Sequence, residues 1–341
     1  MVECAVEVKT VKTEDLPIQI RRAGEGPLVL LIHGFPDLSL AWHHQIEGLA
    51  AAGYHAVAPD MRGYGGTGGP PQAEAYSIFS MVGDLVALVE ALGYEHAVIV
   101  GHDWGAAVAW HCALLRPDMF QAVMGMSVPF QPRRKQGPPT AVMNYLAQKN
   151  GEDQLYLAAF AAPDAHLAMD ADPEAALRKM FWAFDGATPQ SDQATGRIPA
   201  GRDMLDLISD RATLPVWMSQ AQFEQYVAAF RQTGFERAVH WYRKIDANWA
   251  RTRWLQGCKI TVPAAFLVGE RDPVRNYAGH FEGELSEWLT DLHAVTVVPG
   301  AGHWVQQEKP EIVTQAILSF LWGLSLRASR PALRGAEAAG A

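Results

Sequence analysis

The stretch Ala97-Val98-Ile99-Val100-Gly101-His102-Asp103-Trp104-Gly105-Ala106 decides how the rest of the chain is read. Its first four residues are an aliphatic, β-branched run of the kind that forms a buried strand, and Ala106, Ala107 and Ala109 open a small-residue helix directly beyond it. A strand, a sharp turn and a helix in immediate succession are the setting of a nucleophile elbow. Glycines on both sides of such a turn permit a strained backbone and a close approach of helix to strand, and they leave the central side chain exposed above the sheet edge. Here that side chain is Asp103.

An aspartate at this position implies a different reaction from a serine. A serine oxygen attacking a saturated carbon would leave an ether that water does not readily cleave, whereas a carboxylate leaves an ester that can be hydrolysed at its carbonyl. The expected chemistry is substitution at an sp³ carbon. A carboxylate with an ordinary pKa of ~3.9 is already anionic at neutral pH and needs no base to activate it. A base is then available for the second step, activation of water.

Working outward from the elbow, aliphatic runs at Pro27 to Ile32, His55 to Ala58, Ala122 to Met126, Ala264 to Val268 and Ala294 to Val298 predict further strands. Helical spacing of apolar residues marks Ser39 to Ala52, Ser77 to Leu92, Ala106 to Leu115 and Pro310 to Leu326. This alternation predicts an α/β fold with a mostly parallel sheet covered by helices. The rhythm breaks between about Phe130 and Gln256, where strand signals vanish and Trp, Phe, Tyr, Met and Ala abound. The expected organisation is a core of residues 1–130 and 257–327, a helical cap of residues 131–256 inserted into it, and a frayed tail of residues 328–341.

The partners of Asp103 should follow it in the chain. Gly300-Ala301-Gly302-His303-Trp304 comes after the final strand and supplies a base, His303. Gly269-Glu270-Arg271-Asp272-Pro273 comes after the strand at Ala264 and offers two acids to orient it; Asp272 is preferred over Glu270 because it lies further past the strand end. His33-Gly34-Phe35-Pro36 leaves the first of the predicted strands on the side where α/β sheets bind ligands. The N–H groups of Phe35 and Trp104 are candidates for an oxyanion hole that would serve ester hydrolysis. Gly63 to Gly68 formally matches a dinucleotide fingerprint, but Pro70 and Pro71 stand where the helix that holds a pyrophosphate should begin. No nucleotide, other cofactor or metal is expected.

Composition narrows the function classes. With 49% hydrophobic and 19% charged residues, the bulk of the 341-residue chain should pack as a globular protein. The net charge of −9 is the wrong sign for binding phosphate backbones, so nucleic acid is not an expected partner. Cys4, Cys112 and Cys258 are too widely spaced for a disulfide framework or structural zinc site. Charges interrupt Met1 to Pro17, unlike a signal peptide, and no apolar run approaches the ~18 residues of a membrane span. The expectation is a cytoplasmic protein, a monomer or a homodimer.

Together these segments resemble the soluble epoxide hydrolase family of the α/β-hydrolase fold superfamily, with its α-helical cap. The resemblance runs from Leu28 to Leu324 and includes HGFP at His33 to Pro36, DMRGYGGT at Asp60 to Thr67, GHDWGA at Gly101 to Ala106, GERDPV at Gly269 to Val274 and GAGHW at Gly300 to Trp304. In the cap, LPVW at Leu214 to Trp217 and HWYRKIDANW at His240 to Trp249 are similar to family segments. The order nucleophile, acid, histidine is also that of the superfamily. The resemblance implies two cap tyrosines that hold and protonate the epoxide oxygen, and these match Tyr242 and Tyr156. Tyr156, Phe160 and Pro163 reproduce the family spacing, although Ala161 and Asp164 stand where the family usually has Gln and Gly. A cis peptide between Phe35 and Pro36 is likewise implied.

The reaction so implied converts a small hydrophobic epoxide and water to a vicinal diol through a hydroxyalkyl ester on Asp103. Phe35, Pro36, Trp104, Phe181 and Trp182 are the expected walls of the substrate site, the last two with cap packing as the alternative role. A haloalkane dehalogenase shares the Asp nucleophile and the Trp after it, and is the alternative. Phe35 argues against it by standing where a dehalogenase commonly has a halide-binding Asn. A non-catalytic, ligand-binding member of the fold is the remaining possibility.

Overall fold

The computed structural model describes residues 5–133, 135–149, 154–194, 196–199, 202–278 and 284–328. Ten strands occur among them: β1 (Glu7–Val11), β2 (Ile18–Ala23), β3 (Leu28–Ile32), β4 (His55–Pro59), β5 (Ala97–His102), β6 (Phe120–Met126), β7 (Gln154–Leu155), β8 (Arg197–Ile198), β9 (Ala264–Gly269) and β10 (Leu292–Val298). Eight of them form one sheet in the order β1-β2-β4-β3-β5-β6-β9-β10. From β4 to β10 every neighbour is parallel, while β1 and β2 add an antiparallel edge.

Residues of β3 are buried on both faces, as a helix-covered parallel sheet requires. Leu28, Leu30 and Ile32 join one core cluster, and Val29 and Leu31 join the other. Helices His43–Ala51 and Pro310–Ala328 cover one face, and Ile78–Ala91 and Trp104–Leu115 cover the opposite face. The chain leaves β3 for β4 on one side and returns to β5 on its other side, so the strand order reverses between β3 and β5. The crevice beyond the carboxyl ends of two such strands is where α/β sheets bind ligands.

Among the described residues between β6 and β9 the elements are helices apart from the short pair β7 and β8, which the sequence reading did not anticipate. Helix Gln220–Thr233 illustrates its construction: Phe223, Tyr226, Val227 and Phe230 form its buried stripe, and Ser219 and Gln222 make a reciprocal capping box. Helix Glu236–Arg243 turns Ala238, Val239, Trp241 and Tyr242 inward. Strands β1 and β2 are the other correction. Four of the five β1 residues are exposed, so that strand carries no apolar alternation to read, and its charges suit a sheet edge. Ala328 closes the last helix instead of opening a tail, and residues 329–341 lie outside the described residues. No helix among the described residues is long and apolar enough to cross a membrane.

Candidate active site

The turn between β5 and helix Trp104–Leu115 holds Asp103 at φ 54° and ψ −122°. A non-glycine residue in this region costs on the order of 1–3 kcal/mol and persists when its surroundings enforce it. Here the helix does so. A Cβ on Gly105 would lie 2.1 Å from the Ile32 carbonyl oxygen, and one on Gly101 would lie 2.1 Å from that of Gly105. Glycine at both positions lets the helix press against the strand ends while Asp103 projects above them.

Asp103 is buried, and the Phe35 N–H donates to its Oδ1 at 2.9 Å. The Trp104 N–H reaches the same carboxylate. Both candidate oxyanion donors therefore already point at the reacting carboxyl. The Phe35–Pro36 peptide that shapes this loop is cis, as the family resemblance implied. His303 lies between two acids: its Nε2 is 3.7 Å from Asp103 Oδ2, and its Nδ1 is 3.2 Å from each Asp272 oxygen. Asp272 is 1% exposed and is itself held by the Val274 N–H at 2.9 Å. Glu270, the competing acid, instead accepts from the Gly300 N–H.

Burial pushes the Asp103 carboxyl up from the usual carboxylate range, against the opposing pull of His303 and of the Phe35 and Trp104 N–H groups. Burial alone would depress the His303 imidazolium. The charge and hydrogen bond of Asp272, followed by the charge of Asp103, overcome it and hold His303 at about 9. At neutral pH His303 is thus an imidazolium, placed between the side chains of Asp103 and Asp272.

Tyr156 begins a short helix, Tyr156–Phe160, directly after β7, and its N–H is tied to the Gly196 carbonyl. Tyr242 comes from helix Glu236–Arg243. Their rings are 6.4 Å apart, and Phe160, Phe35 and Trp104 pack edge-on around Tyr242 at 5.1, 5.4 and 5.1 Å. Burial and the nearby Asp103 charge hold the Tyr242 phenol protonated, far above its ordinary range. The Trp104 indole N–H is within hydrogen-bond reach of the Tyr242 oxygen, which directs the phenol proton elsewhere.

Asp103, His303, Tyr156 and Tyr242 line one cavity of about 30 Å³, together with Phe35, Pro36, Phe160, Met180, Phe184, Met204, Val274 and Trp304. Three expected walls, Phe181, Trp182 and Trp104, are corrected. Phe181 is fully buried with its ring against Trp304, Tyr226 and Trp217, and its carbonyl accepts from the Trp304 indole. Trp182 faces away from the cavity, donating to the Thr213 carbonyl with the Arg211 guanidinium 5.3 Å from its ring. Trp104 sits beside the cavity, behind Tyr242, and is absent from its lining. The sequence reading missed Met180, Phe184 and Met204; the one available signal was that Met180 and Phe184, four apart, share a helix face.

A larger recess of about 620 Å³ lies between β9, β10 and the last helix, but it contains none of these groups. Among the described residues no cluster of three or more His, Cys, Asp or Glu is arranged to hold a metal ion. Further buried acids surround the site. Asp37 accepts from Tyr226, Leu38, Gln306 and Gln307, and burial pushes it up to about 7 despite these donors.

Comparison with known proteins agrees with this geometry. A family profile described as the alpha/beta hydrolase fold matches residues 27–310. The chain is 40% identical over 325 residues to epoxide hydrolase A of Mycobacterium tuberculosis, covering 94% of this chain and 98% of that protein. It is 34% identical to epoxide hydrolase 3 of Siraitia grosvenorii, covering 93% and 98%. Among solved structures, an epoxide hydrolase from an endophytic Streptomyces superposes with a TM-score of 0.89 at 35% identity, covering 94% of this chain and 96% of that one. Epoxide hydrolase A from Mycobacterium thermoresistibile superposes with a TM-score of 0.86 at 39% identity, covering 94% and 99%. This chain belongs to the alpha/beta hydrolase fold family and, within it, to the epoxide hydrolases.

Proposed function

We propose that this epoxide hydrolase works through a hydroxyalkyl ester on Asp103, with Tyr156 and Tyr242 as the acids of the first step and His303 as the base of the second. The observation that carries this reading is the convergence of all four side chains on one cavity. Asp103 attacks an epoxide carbon while a phenol donates its proton to the ring oxygen as the C–O bond breaks. The product is an ester bearing a neighbouring hydroxyl. His303, oriented by Asp272, then takes a proton from water as it attacks the ester carbonyl. The developing oxyanion is received by the Phe35 and Trp104 N–H groups, which point at the Asp103 carboxyl in the free enzyme. Collapse of the tetrahedral species releases the diol and restores the carboxylate, and the proton taken by His303 returns to the phenolate left by the first step.

The division into core residues 1–130 and 257–327 and cap residues 131–256 is supported by the two cap tyrosines facing the two core residues across the cavity. The apolar lining supports a hydrophobic epoxide as substrate. The net charge of −9 supports a partner set without nucleic acid, and free Cys112 and Cys258 are in keeping with a cytoplasmic location.

The test is a single turnover of excess enzyme with styrene oxide in ¹⁸O-water, followed by mass spectrometry of the diol and of the Asp103 peptide. The expected result is unlabelled diol and a labelled peptide, because water oxygen enters the Asp103 carboxyl. Labelled diol with an unlabelled peptide would mean direct attack by water and would recast Asp103 as a base.

A further inference from the structure

We propose that Glu308 is a positioning residue for ester hydrolysis: its carboxyl locks the His303 loop to the helical segment at Gly186, so that the base is in place only while that segment is docked. The inference rests on the reading of His303 as the base of that step.

Glu308 ends the short helix Val305–Glu308, and its side chain turns back toward the histidine loop. Its Oε2 accepts from the Gly302 N–H at 2.8 Å, and its Oε1 accepts from the Trp304 N–H at 3.0 Å. One carboxyl therefore holds the peptide groups on both sides of His303. The same Oε2 accepts from the N–H of Gly186, in the chain between β6 and β9, at 3.0 Å. Beside it the His303 N–H donates to the Phe184 carbonyl at 2.8 Å. A Cβ on Gly302 would lie 2.3 Å from the Gly186 nitrogen, and one on Gly186 would lie 2.4 Å from the Gly300 oxygen. Glycine at both positions lets the two backbones come close enough for a single carboxyl to reach both.

The core holds His303 from its other side. The His303 carbonyl accepts from His102 Nε2 at 2.7 Å and from the Ser127 hydroxyl at 3.3 Å. Without Glu308 that anchor remains while the flanking peptides are free to shift, and a misplacement of ~1 Å can cost ~10²-fold in rate. Glu308 and Gly186 lie outside the cavity lining, so neither touches substrate. Ester formation is carried by Asp103 and the phenols, which stand on other turns and helices. The charge of Glu308 raises His303. Losing that charge alone would leave more free base near neutral pH and speed breakdown, so a slowing reports lost position.

The experiment follows ester formation and breakdown separately, in stopped-flow single turnovers of excess enzyme with styrene oxide, and reads hydrogen exchange on peptides spanning residues 180–190 and 298–308. Glu308→Ala strands three N–H groups. It should slow breakdown by at least ~10-fold, leave formation within ~3-fold of the wild type, and lower exchange protection in both peptides. Glu308→Gln keeps an oxygen for Gly186 and Gly302 and should restore breakdown to within ~3-fold. Gly186→Ala leaves Glu308 in place but drives a methyl at the Gly300 carbonyl, and should slow breakdown as Glu308→Ala does. Because both variants act through one contact, combining them should slow breakdown no more than ~3-fold beyond the worse single variant. Wild-type breakdown in Glu308→Ala overturns the proposal, as does equal slowing of both steps or multiplicative slowing in the double variant. If Glu308→Ala fails to fold, wild-type breakdown in Gly186→Ala overturns it instead. His303→Gln run in parallel tests the underlying reading separately: if the ester fails to accumulate there, it is the base assignment that falls.

Discussion

His303 stands between two carboxylates that do different work, and its charge follows from both. Forming the ester removes the Asp103 charge while Asp272 stays, so the imidazolium loses one of the two anions that hold it at about 9. The base is thereby released by the step that creates its substrate. The expected consequence is that hydrolysis of the ester rises with pH through an apparent pKa below 9, measurable by stopped-flow breakdown of the accumulated ester. Asp272→Asn removes the largest influence that raises His303 and leaves burial to lower it. That variant should form the ester but hydrolyse it ~10³–10⁴-fold more slowly. Tyr242→Phe acts on the other step: loss of a donor to the leaving oxygen should slow ester formation by ~10²-fold, with breakdown less affected.

The helices and turns show where local sequence carries enough information and where it does not. The elbow was legible because its glycines, its aliphatic strand and its small-residue helix all lie within a short window. Its tolerance is correspondingly low. Gly105→Ala would push a methyl into the Ile32 carbonyl and should destabilise the fold by ~2 kcal/mol or more in urea titration. Helix Pro173–Ala183 was legible only as part of a helical cap, and which of its residues faces the cavity was not. Successive residues on a helix point ~100° apart, so the choice between Met180 and Phe181 depends on how the whole helix is rotated against Trp304 and Tyr226. Met204→Ala, at the cavity wall, should raise kcat/KM for bulkier epoxides relative to small ones by ~10-fold.

Across the molecule, a set of buried acids and the central histidine make stability depend on pH in one direction. Asp37 and Glu308 both hold their protons to about 7 in the folded state, above the ordinary carboxylate range of the unfolded chain. Their contribution is present at acid pH and lost as pH rises from ~4 through 7. His303, raised to about 9, contributes stability that is complete below ~6.5 and lost as pH rises through 9. Both windows have the same sign. Urea unfolding should therefore give a lower free energy at pH ~9 than at pH ~6, by ~3 kcal/mol from His303 alone.

The linear chain determined the α/β architecture, the chemistry of an aspartate nucleophile, and the identities of Asp103, Asp272 and His303 as the candidates to be brought together. These follow from residue type and short-range spacing: strand, turn and helix signals are local, and each candidate sits in a turn after a strand. The pairing of β1 with β2, the facing of Tyr156 and Tyr242, the rotation that turns Met180 inward and Phe181 away, and the meeting of Gly186 with Glu308 were decided by tertiary packing. Each joins residues through burial and backbone contact between separate elements. Position along the chain carries no record of those contacts, because the packing of whole elements sets them.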